Sequence, residues 1–188
     1  MKASSLWCVL AALMAAGCAS KPDVVELTPK GPTAEELYLG RFHMINGRAP
    51  TFAEKRRWEG EVEERVYTYL RQHPEMRQTD RYSDFHMWWQ VTKGSTPAEV
   101  RLLLEDPLEK TTDPERMAAL AEWQWSEIYS KAKEAWFYPP TWVIFFDEGS
   151  VVAIVHRVPG SSRKWLSGLG GRAGGVSRET KRVTTNPG

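Results

Sequence analysis

The side chains that could do chemistry are few and scattered. The chain has four histidines, His43, His73, His86 and His156. None has a second histidine four residues away or a cysteine nearby, so the spacing that sets two imidazoles on one helix face for zinc is missing. Asp84 precedes His86 by two residues, which turns the pair to different sides of a helix. His86, in "DFHMWW", therefore reads as a packed or capping residue, and His156 as a surface residue near the end of a strand. "PGSSR" lacks the G-x-S-x-G that follows a strand in a nucleophile elbow. "GLGGRAGG" has no apolar strand before it and no helix after it, so it reads as linker and not as a phosphate loop. Trp88-Trp89 could stack on sugars or bases, but burial of indole is the main source of stability open to a domain without disulfides, which favours a core role. These residues predict no catalytic group, no cofactor, no metal and no nucleic-acid partner.

One residue does point to chemistry. Leu6 to Ala16 is an apolar run after a basic start, too short to span a bilayer and suited to a signal-peptide core. It ends in Ala15-Ala16-Gly17-Cys18, small residues directly before a cysteine, which resembles the lipobox of bacterial lipoproteins. The usual leucine three positions before the cysteine is here Ala15. The resemblance implies cleavage after residue 17 and acylation of Cys18, palmitate included, with Ala19 in the second mature position as in outer-membrane sorting. Cys8 lies in the removed segment and is the only other cysteine, so the mature body has no disulfide and no cysteine metal ligand.

Such an anchor needs a body to hold. Nine tryptophans, six phenylalanines and six tyrosines give a single domain enough apolar area to fold by burial alone. Residues 18–32, with three prolines, read as a tether. Residues 159–188 read as a disordered basic tail: Arg163, Lys164, Arg172, Arg178, Lys181 and Arg182 stand against Glu179, with few large apolar side chains. That tail is either a solvated arm or one that touches anionic lipid or an acidic partner.

Between tether and tail, helix starts recur. Thr33 precedes Glu36 by three residues, Thr51 precedes Glu54, Thr96 precedes Glu99 and Thr112 precedes Glu115. In each, the hydroxyl can accept the N3 amide while the glutamate reaches back to the cap amide. The pattern predicts helices over Ala34 to about Ile45, about Phe52 to Gln72, Pro97 to about Leu104 and Pro114 to about Lys133, with a short aromatic helix from Tyr82 to Val91. The period then changes. "AWFYP" and two apolar runs around Asp147-Glu148-Gly149-Ser150 predict a strand and a hairpin, with Gly149 free to take positive φ in the turn.

The fold class expected is α+β: helices packed on a small three-stranded antiparallel sheet, with additional N-terminal helices over residues 33–90. Both alternation classes of the hairpin are apolar. Trp142, Ile144 and Phe146 lie on one face, Val143 and Phe145 on the other, so both faces need cover. Either the extra N-terminal helices or a partner protein supplies it, and in the second case Trp142, Ile144 and Phe146 are the partner-binding residues.

Residues 91–158 resemble the BamE (SmpA/OmlA) domain. The resemblance is carried by Gly94, Thr96, Val100, Leu103, Leu104 and Pro107, then by Trp136, Phe137 and Tyr138, then by Phe145, Phe146, Gly149 and Val151. Ser95 stands in place of the usual methionine, Glu105-Asp106 in place of a helix-ending glycine, and residues 114–133 form an inserted helix. The resemblance implies a non-enzymatic lipoprotein on the periplasmic face of the outer membrane, held there by its N-terminal lipid. Its partner would be an envelope protein such as a component of the barrel-assembly machinery. A periplasmic inhibitor or sensor that binds an envelope enzyme is the alternative.

Overall fold

The computed structural model describes residues 24–158; Cys18, the segment before it and the basic tail lie outside them. The described chain begins in a strand. β1 is Val24–Leu27 and β2 is Lys30–Thr33, followed by α1, Ala34–Asn46, and α2, Phe52–Gln72. After a 3-10 turn at Pro74–Gln78 come α3, Tyr82–Met87, β3, Gln90–Thr92, and α4, Pro97–Leu104. β4 is Glu109–Thr111, α5 is Pro114–Ala121 and α6 is Trp125–Ile128, with a 3-10 turn at Glu122–Gln124 between the two helices. β5, Glu134–Tyr138, β6, Trp142–Asp147, and β7, Ser150–Val158, close the chain.

The caps explain most helix boundaries. Thr33, Thr51 and Thr96 each accept the amide three residues on, and Glu54 and Glu99 complete full capping boxes. Gly47 ends α1 in the left-handed region, where a side chain would be strained. α5 starts at Pro114 as expected, but its cap differs from the one its spacing suggests: the side chain of Asp113, not Thr112, accepts the amide of Glu115. The single helix expected over residues 114–133 is also broken, because Glu122 takes φ +52° and interrupts the ladder.

The expected three-stranded sheet is incorrect. The strands form a five-stranded antiparallel sheet in the order β1-β7-β6-β5-β4, and β2 pairs with β3 in a separate ribbon. The hairpin and the Trp-Phe-Tyr strand supply its centre. β1 comes from the stretch read as tether and pairs with β7, Val24 opposite Val158. β4 comes from the connection after α4 and pairs with β5, Glu109 opposite Phe137. β1 is too short, and β4 too short and too polar, to be announced by alternation. A bulge between Phe145 and Phe146 shifts the pairing with β7, so Val151 opposes Phe146. Val151 and Ile154, not Val152 and Ile154, therefore share one core.

Both faces of the sheet are covered by this chain. On one face Trp136, Tyr138, Trp142, Ile144 and Phe146 pack with Leu37 of α1, Trp58, Val62, Val66 and Leu70 of α2, and Val100, Leu103 and Leu104 of α4. The N-terminal helices thus belong to the same core as the sheet, and residues 23–159 form one compact unit. On the other face Val25, Ala135, Phe137, Val143, Phe145, Ala153 and Val155 are buried. The segment 114–133 lies over them: Gln124 donates to the Val25 carbonyl, Trp125 meets Phe145 with ring centroids 6.3 Å apart, and Lys133 N–H donates to the Phe146 carbonyl.

Candidate functional site

Trp142, Ile144 and Phe146 do not form a docking surface. They are buried beneath α1, α2 and α4. The indole N–H of Trp142 donates to the Glu36 carboxylate at 2.7 Å, which ties β6 to the first turn of α1. Apolar runs on both strand faces reflect two internal layers, so the pattern required no partner. Cys18 lies outside the described residues, as do "PGSSR" from Gly160 onward and "GLGGRAGG".

The histidines stay apart. His156 stacks on Trp142 with centroids 4.0 Å apart, His73 lies against Tyr69 and Glu75, and His43 is exposed on α1. His86 sits between Tyr82 and Tyr67, while Asp84 pairs with Lys30 at 2.6 Å. Among the described residues no group of histidine, cysteine and carboxylate side chains is placed to hold a metal ion. No described helix is long and apolar enough to cross a membrane.

One polar cluster is well buried, and the sequence pattern disclosed only part of it. Glu99, read from its spacing as a capping-box residue, does accept the Thr96 amide at 2.8 Å. It also accepts from the Arg81 guanidinium at 2.7 Å and from the Tyr69 hydroxyl at 3.2 Å, with its side chain 4% exposed. Burial, and then the neighbouring Glu99 carboxylate, raise the Tyr69 hydroxyl above its ordinary pKa. Ser95 accepts the Thr92 amide and a second contact from Arg81. Gly94 takes φ +82° beside the Arg81 side chain. No buried side-chain atom of the cluster is left without a partner. It therefore fixes the turn between β3 and α4, and nothing in it is aimed at a ligand.

Two apolar features reach the surface. The first is a groove of about 250 Å³ between α1, α2 and α4, lined by Leu37, Tyr38, Phe42, Ile45, Trp58 and Leu103, with Arg41 and Glu105 at its rim. Tyr38 stacks flat on Trp58 at 4.3 Å. The second is a hollow of about 210 Å³ at the end of α3, lined by Glu63, Val66, Tyr67, His86, Met87 and Trp89. Trp88-Trp89 divides here. Trp89 takes φ +47°, a strained value for a bulky residue, and turns its ring edge-on to Trp58. That leaves Trp88 outside the core, 65% exposed, beside an equally exposed Met87. The expected core role holds for Trp89 in part and fails for Trp88.

Comparisons with protein families, with curated proteins and with solved structures give no match to this chain.

Proposed function

We propose that the chain is a lipid-anchored, non-enzymatic interaction module of the bacterial envelope. Cys18 holds it at the periplasmic face of the outer membrane, and the Met87–Trp88–Tyr67 patch docks an envelope protein. The observation that supports this most is the exposure of Met87 and Trp88 together beside an aromatic hollow. Tryptophan and tyrosine are the residues that dominate binding energy at protein interfaces, and an exposed tryptophan on a folded surface loses water contact only when a partner arrives. The lipobox supports the anchor, and the resemblance of residues 91–158 to the BamE domain supports a barrel-assembly component as the partner. An inhibitor that caps a periplasmic enzyme would use the same patch, and the identity of the captured protein separates the two.

A photo-crosslinker placed at position 88 in cells tests the reading. It should capture an envelope protein that the same probe at Tyr129, exposed on the other side of the sheet, does not capture. Trp88→Ala should weaken that association about thirtyfold, the loss typical of an interface hot spot. Equal capture from both positions, or capture unchanged by Trp88→Ala, sinks the docking site. Membrane association unchanged in Cys18→Ser sinks the anchor.

A further inference from the structure

We propose that the turn between α1 and α2 is a membrane-seating surface: Met44, Ile45 and Phe52 enter the interfacial layer of the same bilayer that holds Cys18. This rests on Cys18 being the lipid anchor.

The first support is the length of chain between the lipid and the sheet. Because β1 starts at Val24, only Ala19 to Asp23 separate it from Cys18. Six Cα–Cα steps reach at most about 20 Å. A tether running to Pro32 would have given more than twice that reach. Val24 opposes Val158, just beyond the rung where Trp142 meets His156. This end of the sheet is therefore the end held close to lipid.

The second support is the course of α1. Its Glu36 accepts from Trp142 on β6, and its Arg41 lies over the ring of Tyr138 on β5 at 5.7 Å. Tyr138 opposes Trp142 in the register. The helix thus crosses the last rungs of β6 and β5 at the anchored end, and its C-terminus carries the turn out from there.

The third support is what the turn presents. Ile45 and Phe52 are each 81% exposed, and Met44 is half exposed. The Arg48 guanidinium lies over Phe42 and is held by two contacts to the Glu54 carboxylate, so this pair adds no net charge to the turn. Large exposed apolar side chains beside a charge-neutralised arginine can enter the boundary between acyl chains and headgroups without burying an unpaired charge. A protein interface would take the apolar side chains equally well. Proximity to the anchor decides for lipid.

The full chain, acylated and reconstituted into vesicles of phosphatidylethanolamine and phosphatidylglycerol, tests the proposal. An environment-sensitive fluorophore is attached at Ile45→Cys, at Phe52→Cys or at Gly149→Cys. Gly149 lies in the turn between β6 and β7, at the opposite end of the sheet. In the acylated chain Cys18 has no free thiol and Cys8 has been removed, so the introduced cysteine alone is labelled. Brominated acyl chains should quench the label at 45 and at 52 several-fold more than at 149. Equal quenching at all three positions overturns the seating. So does a blue-shifted emission at 45 that the brominated lipid leaves unquenched, which assigns the turn to a protein. Mass analysis of the N-terminal peptide keeps the two readings distinct. Absence of lipid on Cys18 removes the anchor and the seating together, whereas equal quenching in a chain that carries lipid removes the seating alone.

Discussion

The two faces of the sheet are covered in different ways. Over Trp136, Ile144 and Phe146 lie long, capped helices, and the buried charge among them, Glu99, has a full set of partners. Over Val143, Phe145 and Val155 lies a segment broken into two short helices and a 3-10 turn. It exposes Trp123 and Tyr129, buries Gln124 with its side-chain oxygen unpaired, and is held at its edges by Arg157–Glu122 and by a two-point contact of Arg116 with Glu109. Equal burial on the two sides therefore does not mean equal resistance to opening. The first cover packs along whole helices, whereas the second buries Met117, Leu120, Ala121 and Ile128 from short, interrupted pieces, and regions of the second kind open first.

Adjacent phenylalanines give the sharpest test. Phe146 and Phe145 are both fully buried, on opposite faces. Phe146→Ala should cost about 3–5 kcal/mol in urea unfolding, the usual range for a buried phenylalanine. Phe145→Ala should cost measurably less, because the short segment above it can settle into the space. Equal costs would break the comparison. Glu99→Ala should come next, at about 3 kcal/mol, since it leaves the Arg81 guanidinium without its buried partner. A loss under about 1 kcal/mol would place that pair effectively in water.

Smaller effects sharpen the contrast. Arg157→Ala should raise amide exchange over Pro114–Ile128 by about 0.5–1 kcal/mol of local opening and leave α2 unchanged. Acid should act on the same cover. The hydrogen bond from Arg116 holds the Glu109 carboxyl below its ordinary value of 4.5. Its contribution is complete above that ordinary value and is lost as pH falls through the lowered one. Exchange over α5 should therefore rise with acid below about pH 4.5, and Glu109→Gln should flatten the dependence. On the first cover, Arg48 and then the Thr51 cap hold Glu54 down at about 2, so the start of α2 should keep its protection until much lower pH. Thr51→Ala should cost about 1 kcal/mol, measured as a shift in thermal midpoint.

Sequence pattern reached the elements with strong local causes. α2 and α4 were legible, because Thr51-Glu54 and Thr96-Glu99 fix their starts and His73-Pro74 marks the end of α2. The centre of the sheet was legible from its apolar runs. β1 and β4 were not: "VVEL" lies among prolines and "EKT" among polar residues, and each is a strand only because a neighbour offers an open edge. The broken cover was missed because residues 114–133 keep a helical apolar period through Glu122, and backbone strain at one residue leaves no trace in that period. The docking residues were misplaced for a related reason. Alternation identifies strand faces that need cover, but cannot say whether the cover lies elsewhere in the same chain. Trp88 was assigned to the core by its type, and it is the positive φ of Trp89 that turns the two indoles apart.

The pairing of β1 with β7 also bears on the order of assembly. The first and last strands of the described chain lie side by side, so the sheet cannot gain its β1 edge until the final strand is available. Closing so long a loop is slow compared with forming the hairpin or the capped helices. In a chain that emerges N-terminus first, β1 would wait unpaired until β7 emerged. Loss of β7 would therefore free β1, so damage at the C-terminal end of the domain would appear first at its N-terminal edge.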